Sequence, residues 1–182
     1  AMTKPSSTIA RARAIAKRNG WPAEMVKTEA DALAVFDGGC YFSPKHAALV
    51  ARFFHEFLHH SIGEWAGQTF ELLPWQKDEL IDPLFGWLRR DGTRRYRRGG
   101  VWIPKKNGKT TLASGICLYL LVGDGEPGAQ VFSAASDRNQ AAYIYRDCAA
   151  HVKQSPDLAG ILDLVDSKKR INYVQQNAYY EA

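Results

Sequence analysis

The stretch with the clearest chemical meaning is IPKKNGKTT, residues 103–111. Phosphate-binding loops end in glycine, lysine and then serine or threonine, and Gly108, Lys109 and Thr110 reproduce that ending. The usual first glycine would stand five positions before Gly108, where this sequence has Ile103. Backbone N–H groups at the start of a helix have no helical partner, so the pattern predicts a site for an anion.

The residue types of this loop predict roles in binding a nucleoside triphosphate. Lys109 would reach the β- and γ-phosphates, and the Thr110 hydroxyl would hold Mg²⁺. Gly108 permits close approach of the backbone to a phosphate, and Pro104 can fix the turn where the first glycine is missing. A chance glycine-lysine-threonine at a helix start is the alternative interpretation. The nucleotide-binding residues predicted on this loop are Pro104, Lys105, Lys106, Asn107, Gly108, Lys109, Thr110 and Thr111.

A second motif, HEFLH, begins at His55 and predicts a different chemistry. On a helix, His55 and His59 would lie one turn apart and could bind zinc, with Glu56 as general base, as in zinc peptidases. The longer form of the motif is absent, because Ile62 and Trp65 stand where it needs glycine and histidine. The favoured interpretation is a solvent-edge face of a helix whose other face is aromatic, and a zinc peptidase remains the alternative.

The composition is typical of a soluble globular protein. The chain has 182 residues, 46% of them hydrophobic and 24% charged, with a net charge of +5. Its longest apolar run, residues 116–122, is far shorter than a membrane span, so no membrane is expected. Residues 89–98 hold six arginines and one aspartate, which indicates a solvated turn or, alternatively, a DNA-binding module. No paired spacing relates the three cysteines, which favours a reducing compartment; they are Cys40, Cys117 and Cys148.

The elements that would position these residues follow from hydrophobic spacing. Helices are predicted over residues 43–62, 73–90, 108–123 and 136–153, with Ser43 and Ser136 as caps and a kink at Pro83. Strands are predicted at 98–104 and 129–136, followed by a strand, a turn and a further strand within 169–182. Alternating strands and helices favour an α/β fold with a parallel sheet. We predict a helical amino-terminal appendage over residues 1–65 and a nucleotide-binding domain over residues 66–182.

The order of three segments is similar to one known family. FELLPWQKDELIDPLFGW, RRYRRGGVWIPKKNGKTTLAS and AQVFSAASDRNQAAYIY together resemble the amino-terminal part of tailed-phage terminase large subunits, in the branch typified by phage HK97. The resemblance runs from about residue 40 to residue 155. It implies a P-loop ATPase fold that uses ATP and Mg²⁺ to drive viral DNA into a capsid. It also implies double-stranded DNA, a portal protein and a small terminase subunit as partners, a homo-oligomeric ring, and the bacterial host cytoplasm as location.

The same resemblance implies roles for single residues. Family loops lack the first glycine and carry a basic residue inside the loop, which is thought to sense the γ-phosphate. Lys105 is the best match for that residue, with Lys106 beside it. Gln76 matches the glutamine that reads adenine, and Trp75 beside it is expected in the core. Arg138 and Asn139 lie where a motor could couple its nucleotide state to DNA. A solvated lysine and an unliganded surface glutamine are the alternatives for Lys105 and Gln76.

The acidic pair that hydrolysis requires in this family is absent from the sequence. An apolar strand ending in Asp-Glu is expected after Lys109, but GILDLVDS offers only Asp163 and Asp166, and the chain ends at Ala182. We therefore expect a P-loop sheet truncated before its Walker B strand and without the nuclease domain. Such a piece would bind ATP or phosphate weakly without sustained turnover. A helicase-like P-loop ATPase is the nearest alternative.

Overall fold

The computed structural model describes residues 6–61 and 63–182. Contacts between residues divide the chain into two compact units. The first unit comprises Ala1–Ala51 with Leu73–Val101, and the second comprises Arg52–Leu72 with Trp102–Ala182. This division groups residues 73–101 with the amino-terminal helices. The domain boundary at residue 65 stays a prediction.

Short capped helices build the first unit. The Ser6 side chain caps the first helix, and Thr28 and Asp31 form a capping box at the second, so both helices begin where their polar residues satisfy free N–H groups. A short antiparallel strand pair closes this unit, which corrects the expectation that the first 65 residues are wholly helical. The elements are Ser7–Arg18 (α1), Glu29–Phe36 (α2), Tyr41–Phe42 (β1), Pro44–Phe57 (α3) and Trp87–Leu88 (β2). Helix α3 belongs to this unit only as far as Ala51, and its residues from Arg52 onward belong to the second unit.

The helix predicted over residues 73–90 is distorted before Pro83. It consists of Pro74–Gln76 (α4), a π turn at Lys77–Ile81 and Asp82–Gly86 (α5). In the π turn the Asp82 N–H donates to the carbonyl of the residue five positions earlier. A proline has no N–H for the usual bond four residues back, and a π turn is one way to absorb that loss. The helix ends at Gly86, since the next residue adopts an extended conformation in β2.

The arginine-rich run is partly built into the first unit. Arg95 Nη1 donates to Asp31 Oδ1 at 2.6 Å, and Tyr96 Oη donates to the same oxygen at 2.8 Å. Burial alone would raise the pKa of Asp31, but hydrogen bonds from Arg95, Tyr96 and Thr28 outweigh it and hold that pKa below its usual value. The Arg95 guanidinium also lies 4.9 Å from the centre of the Trp87 ring. The interpretation of this run as a solvated turn is therefore wrong for Arg95.

The second unit packs helices against a four-stranded sheet. Its helices are Lys109–Leu118 (α6), which continues as a π turn at Tyr119–Gly123, Arg138–Gln154 (α7) and Pro156–Ala159 (α8). Its strands, in the order in which they pair, are Gln130–Phe132 (β3), Ala178–Glu181 (β6), Arg170–Tyr173 (β5) and Asp163–Val165 (β4). The α/β class is confirmed.

The sheet is mixed, which corrects the prediction of a parallel sheet. Strands β3 and β6 are parallel, but β4, β5 and β6 form two antiparallel pairs. The links between these three strands are single 3₁₀ turns, Asp166–Lys168 and Val174–Gln176, each followed by a residue with positive φ, Lys169 or Asn177. Such links are far too short for the crossover that a parallel pair requires.

The strand predicted at residues 98–104 is absent, because residues 96–104 belong to no helix or strand. Within the described residues β3 pairs only with β6, and its residues are exposed or half-buried instead of buried as predicted. A strand at the edge of a sheet has a neighbouring strand on one side only, so its residues are less buried than those of a central strand. The segment that precedes α6 therefore has no regular secondary structure.

The core of the second unit lies between the sheet and α6 and α7. Ile171 and Tyr180 on the inner face of the sheet are fully buried, as is Cys148 on α7. A methyl group placed on Gly115 of α6 would lie 2.5 Å from the Phe54 ring, so only glycine allows this close approach. In the described part of the chain, no helix combines the length and apolar character that a membrane crossing requires.

Candidate nucleotide-binding site

The loop before α6 has the backbone geometry of an anion site. Gly108 caps the helix in the left-handed conformation, with φ 71° and ψ 16°, and Lys106 also has a positive φ of 66°. Left-handed residues close together in a turn direct successive N–H groups toward one concave surface. No side chain caps α6 at Gly108. The first N–H groups of α6 therefore have no capping side chain as acceptor, and their binding of a phosphate stays a prediction.

Lys109 folds back across this loop. Its ammonium Nζ donates to the carbonyl oxygens of Ile103 and Pro104, each at 2.8 Å. Both acceptors are neutral, and Lys109 is exposed. An anionic phosphate is a stronger acceptor for an ammonium group than a carbonyl is, so a bound triphosphate can draw Nζ away from these oxygens.

The rest of the predicted loop is exposed and held by local bonds. Asn107 Nδ2 donates to the carbonyls of Pro104 and Lys105, each at 3.3 Å. Lys105 and Lys106 lie in the same turn, and both are exposed. Residues 104–108 lie in this loop and residues 109–111 in the first turn of α6. Their role in nucleotide binding, and that of Lys105 as a γ-phosphate sensor, stay predictions.

The first turn of α6 presents its two threonines in different ways. The Leu112 N–H makes a 2.9 Å bond to the Gly108 carbonyl, which closes the first turn. Thr110 is exposed, as a magnesium-binding hydroxyl must be, and its role as a ligand for Mg²⁺ stays a prediction. Thr111 is half-buried, and its Oγ1 donates to Asp147 Oδ2 on α7 at 3.1 Å. Burial raises the pKa of Asp147, and the bond from Thr111 opposes that rise.

Gln76 belongs to the first unit and has a local structural partner. Its Oε1 accepts a hydrogen bond of 2.9 Å from the Leu73 N–H, and the residue is only 3% exposed. This bond caps the short helix that starts at Pro74. Adenine recognition by Gln76 stays a prediction. The expectation that Trp75 lies in the core is wrong, because 36% of it is exposed.

The structure does not give the HEFLH motif its zinc-binding geometry. Helix α3 ends at Phe57, so His59 lies beyond it and forms a β-bridge with Thr69. His55 Nδ1 lies 2.6 Å from Glu71 Oε1. Residues 6–61 and 63–182 contain no group of three histidine, cysteine, aspartate or glutamate side chains that could hold a metal ion. One of the flanking residues considered for the longer motif, Ile62, lies outside the described residues.

Helix α7 begins one residue later than predicted. Asp137 caps it, with Oδ1 accepting from the N–H groups of Asn139 and Gln140 at 2.8 and 3.0 Å, whereas Ser136 was the predicted cap. Ser136 instead bonds to the Gln140 side chain. A coupling role for Asn139 stays a prediction, and the side chain of Arg138 lies outside what the structure describes.

The sequence did not predict the contacts or burial of two polar residues on α7. Asp147 contacts the first turn of α6, and His151 is fully buried. Asp147 stands three positions after Ile144 and His151 three positions after Cys148, so both lie beside the apolar stripe of a predicted amphipathic helix. A polar residue beside such a stripe is the sequence signal that could have identified them.

Comparison with known proteins places this loop in a family. A family model described as the ATPase domain of the terminase large subunit matches residues 74–178, more than half of the chain, and this range includes the loop and both helices that flank the site. The chain belongs to the terminase large subunit family. The match covers its ATPase portion, as the order of the sequence segments indicates.

The sequence and the crystal structure of one relative, the phage HK97 large terminase, agree with this assignment. The terminase large subunit of Enterobacteria phage HK97 is 31% identical over 121 residues, which is 66% of this chain and 23% of that protein. The crystal structure of the HK97 bacteriophage large terminase is similar with a TM-score of 0.61 and 30% identity, over 75% of this chain and 26% of that chain. This terminase chain therefore spans about a quarter of the length of the HK97 protein.

Proposed function

We propose that this chain is the ATP-binding portion of a viral DNA-packaging motor, which couples ATP hydrolysis to movement of double-stranded DNA into a capsid. The observation that carries the proposal is the segment of residues 104–111, which lies inside the family match. In this segment Gly108 has a left-handed conformation, and Lys109 is the first residue of α6. Backbone amides and ammonium groups on one concave surface suit a triphosphate.

In this proposal each loop residue has a defined task. The amides of Gly108 and Lys109 bind the phosphates, and Lys109 Nζ moves from its two carbonyl acceptors to the β- and γ-phosphates. Lys105 would contact the γ-phosphate, and Thr110 would hold Mg²⁺, which would supply positive charge beside the phosphates. Gln76 would read adenine if its bond to the Leu73 N–H were exchanged or shared.

The proposed setting is that of a tailed-phage or prophage protein in the host cytoplasm. The partners would be the viral DNA, a portal protein and a small terminase subunit, with several copies of the full-length protein in a ring. Six arginines in residues 89–98 provide cationic side chains, of which Arg90, Arg97 and Arg98 are exposed. Cationic side chains of this kind can contact DNA phosphates.

The function is tested with the full-length protein that contains these residues, supplied with its capsids and linear DNA. We expect ATP-dependent protection of the DNA from added nuclease, and loss of protection with Lys109→Ala. Lys153→Ala, which removes an exposed charge on α7, should package normally. Strand separation of the duplex without protected DNA would contradict the packaging motor and support a helicase-like ATPase.

A second expectation concerns the 182 residues alone. We expect them to bind ATP without sustained hydrolysis, because the sequence after Lys109 contains no adjacent pair of acidic residues that could bind metal and activate water. Of the two candidate acids, Asp163 pairs within the sheet and Asp166 accepts a 2.7 Å bond from Tyr145. Phosphate release under steady-state conditions is the measurement. Robust turnover that Lys109→Ala abolishes would contradict this expectation.

A further inference from the structure

Helices α6 and α7 are joined by polar bonds close to the phosphate loop. The Thr111 hydroxyl donates to Asp147 Oδ2 at 3.1 Å. One turn further along α6, Ser114 Oγ donates to the Thr111 carbonyl at 2.8 Å, and Cys148 Sγ on α7 donates to the Ser114 carbonyl at 3.5 Å. Ser114 and Cys148 are fully buried, so the bond between them lies in the core.

The bond between Thr111 and Asp147 joins α7 to the first turn of α6. Thr111 is the third residue of α6 and directly follows Thr110, so it lies in the turn whose amides face the loop. Asp147 is half-buried in the middle of the 17-residue helix α7. Among the described residues, the hydrogen bond from Thr111 is the side-chain bond that compensates the burial of this carboxylate.

We propose that Asp147 is a positioning residue for nucleotide binding: it holds the Thr111 hydroxyl and thereby fixes the first turn of α6 against α7. The inference rests on the proposed function, because it assigns Asp147 to the same phosphate site. Since Thr111 turns its hydroxyl toward α7, its backbone N–H and the neighbouring Thr110 hydroxyl keep one orientation toward the loop. Small displacements of groups that bind a triphosphate are costly in affinity, so this restraint favours binding.

A second bond on α7 distinguishes positioning from simple support. Tyr145 Oη donates to Asp166 Oδ1 at 2.7 Å, two residues away from Asp147 on the same helix. Asp166 belongs to the turn after β4, so this bond ties α7 to the sheet and not to α6. Removing it should lower the stability of the protein, as removing the Thr111 bond should, but without changing nucleotide affinity. Tyr145→Phe is therefore the matched control.

The experiment measures ATP affinity by calorimetry for Asp147→Ala, Thr111→Val, the double variant, Asp147→Asn and Tyr145→Phe. We expect each of the first two variants to weaken ATP binding about 10-fold. The double variant should bind ATP no more weakly than either single variant, because both substitutions remove the same hydrogen bond. Asp147→Asn retains an acceptor oxygen and should stay within about twofold of the unmodified protein. If Asp147→Ala fails to fold, Thr111→Val, which keeps the shape of the side chain, gives the decisive affinity.

Hydrogen exchange supplies a measurement that needs no nucleotide. The Leu112 N–H donates to the Gly108 carbonyl and reports the first closed turn of α6. Its protection should fall about 10-fold in Asp147→Ala and Thr111→Val, and stay unchanged in Tyr145→Phe. If the unmodified chain bound no ATP, the proposed function would fail, and this exchange would still decide whether Asp147 positions the turn.

Three results would overturn the inference. The first is an unchanged ATP affinity in Thr111→Val with protection of the Leu112 amide retained. The second is an additive loss in the double variant, which would show that the two side chains act independently. The third is an equal loss of affinity in Tyr145→Phe, which would make the effect of Asp147 one of general stability.

Discussion

Replacing Lys109 with alanine is expected to weaken ATP binding by about 100-fold. The ammonium group now donates to two neutral carbonyls, those of Ile103 and Pro104, and would exchange them for phosphate oxygens with full negative charge. Hydrogen bonds between charged groups are about twice as strong as those between neutral groups. The alanine side chain has no donor and can make neither kind of bond. The loop would keep its backbone amides, because Gly108 and not the lysine sets the left-handed turn.

The measurement is the stabilisation of the protein by ATP. A ligand present at about 100 times its Kd adds about 2.7 kcal/mol to the free energy of unfolding. At the same ATP concentration, Lys109→Ala should gain only about 0.4 kcal/mol if its Kd is 100-fold higher. Lys153→Ala removes one exposed positive charge elsewhere on the second unit and should keep the full stabilisation. Equal stabilisation of the Lys109 variant would show that this loop does not bind the triphosphate.

The second large effect is expected from the buried imidazole of His151. This residue is fully buried on α7. Burial, aided by the nearby His60 and His59 side chains, lowers the pKa of His151 from 6.5 to about 4. The folded protein therefore resists protonating this ring, while the unfolded chain protonates it near pH 6.5. The stability that comes from a neutral His151 is complete above pH 6.5 and is lost as the pH falls toward 4.

The size of this loss follows from the shift in pKa. A lowering from 6.5 to about 4 corresponds to about 3 kcal/mol in total, of which about 2 kcal/mol is lost between pH 8 and pH 5. Urea unfolding at these two pH values measures it. His151→Gln stays neutral at both values and should remove about 2 kcal/mol of the difference, whereas His46→Gln, at an exposed histidine of the first unit, should leave it in place. Equal pH dependence in His151→Gln and the unmodified protein would contradict this account.

Local patterns predicted the elements that carry the site. The glycine-lysine-threonine run and the apolar spacing after it gave the start of α6, and the spacing of Ile144, Cys148 and Val152 gave α7. These features depend on neighbours within a few residues, so the sequence holds the information directly. The turn at residues 105–108 is of the same kind, since Gly108 allows the conformation that the helix start requires.

Features that depend on distant partners were predicted less well. Residues 98–104 have the composition of a strand but pair with none of the described strands, and strand propensity alone does not form a strand. The parallel sheet was inferred from alternating elements, yet the short turns that end at Lys169 and Asn177 fold β4, β5 and β6 back on themselves. Asp147 was overlooked because its partner, Thr111, is 36 positions away.

The most direct test of this account is a crystal structure of the chain with Mg²⁺ and an ATP analogue that cannot be hydrolysed. We predict the β-phosphate within hydrogen-bonding distance of the Gly108 and Lys109 amides, with Lys109 Nζ moved from the Ile103 and Pro104 carbonyls to phosphate oxygens. The analogue bound elsewhere, with Lys109 still donating to those two carbonyls, would contradict the assignment of this loop as the nucleotide site.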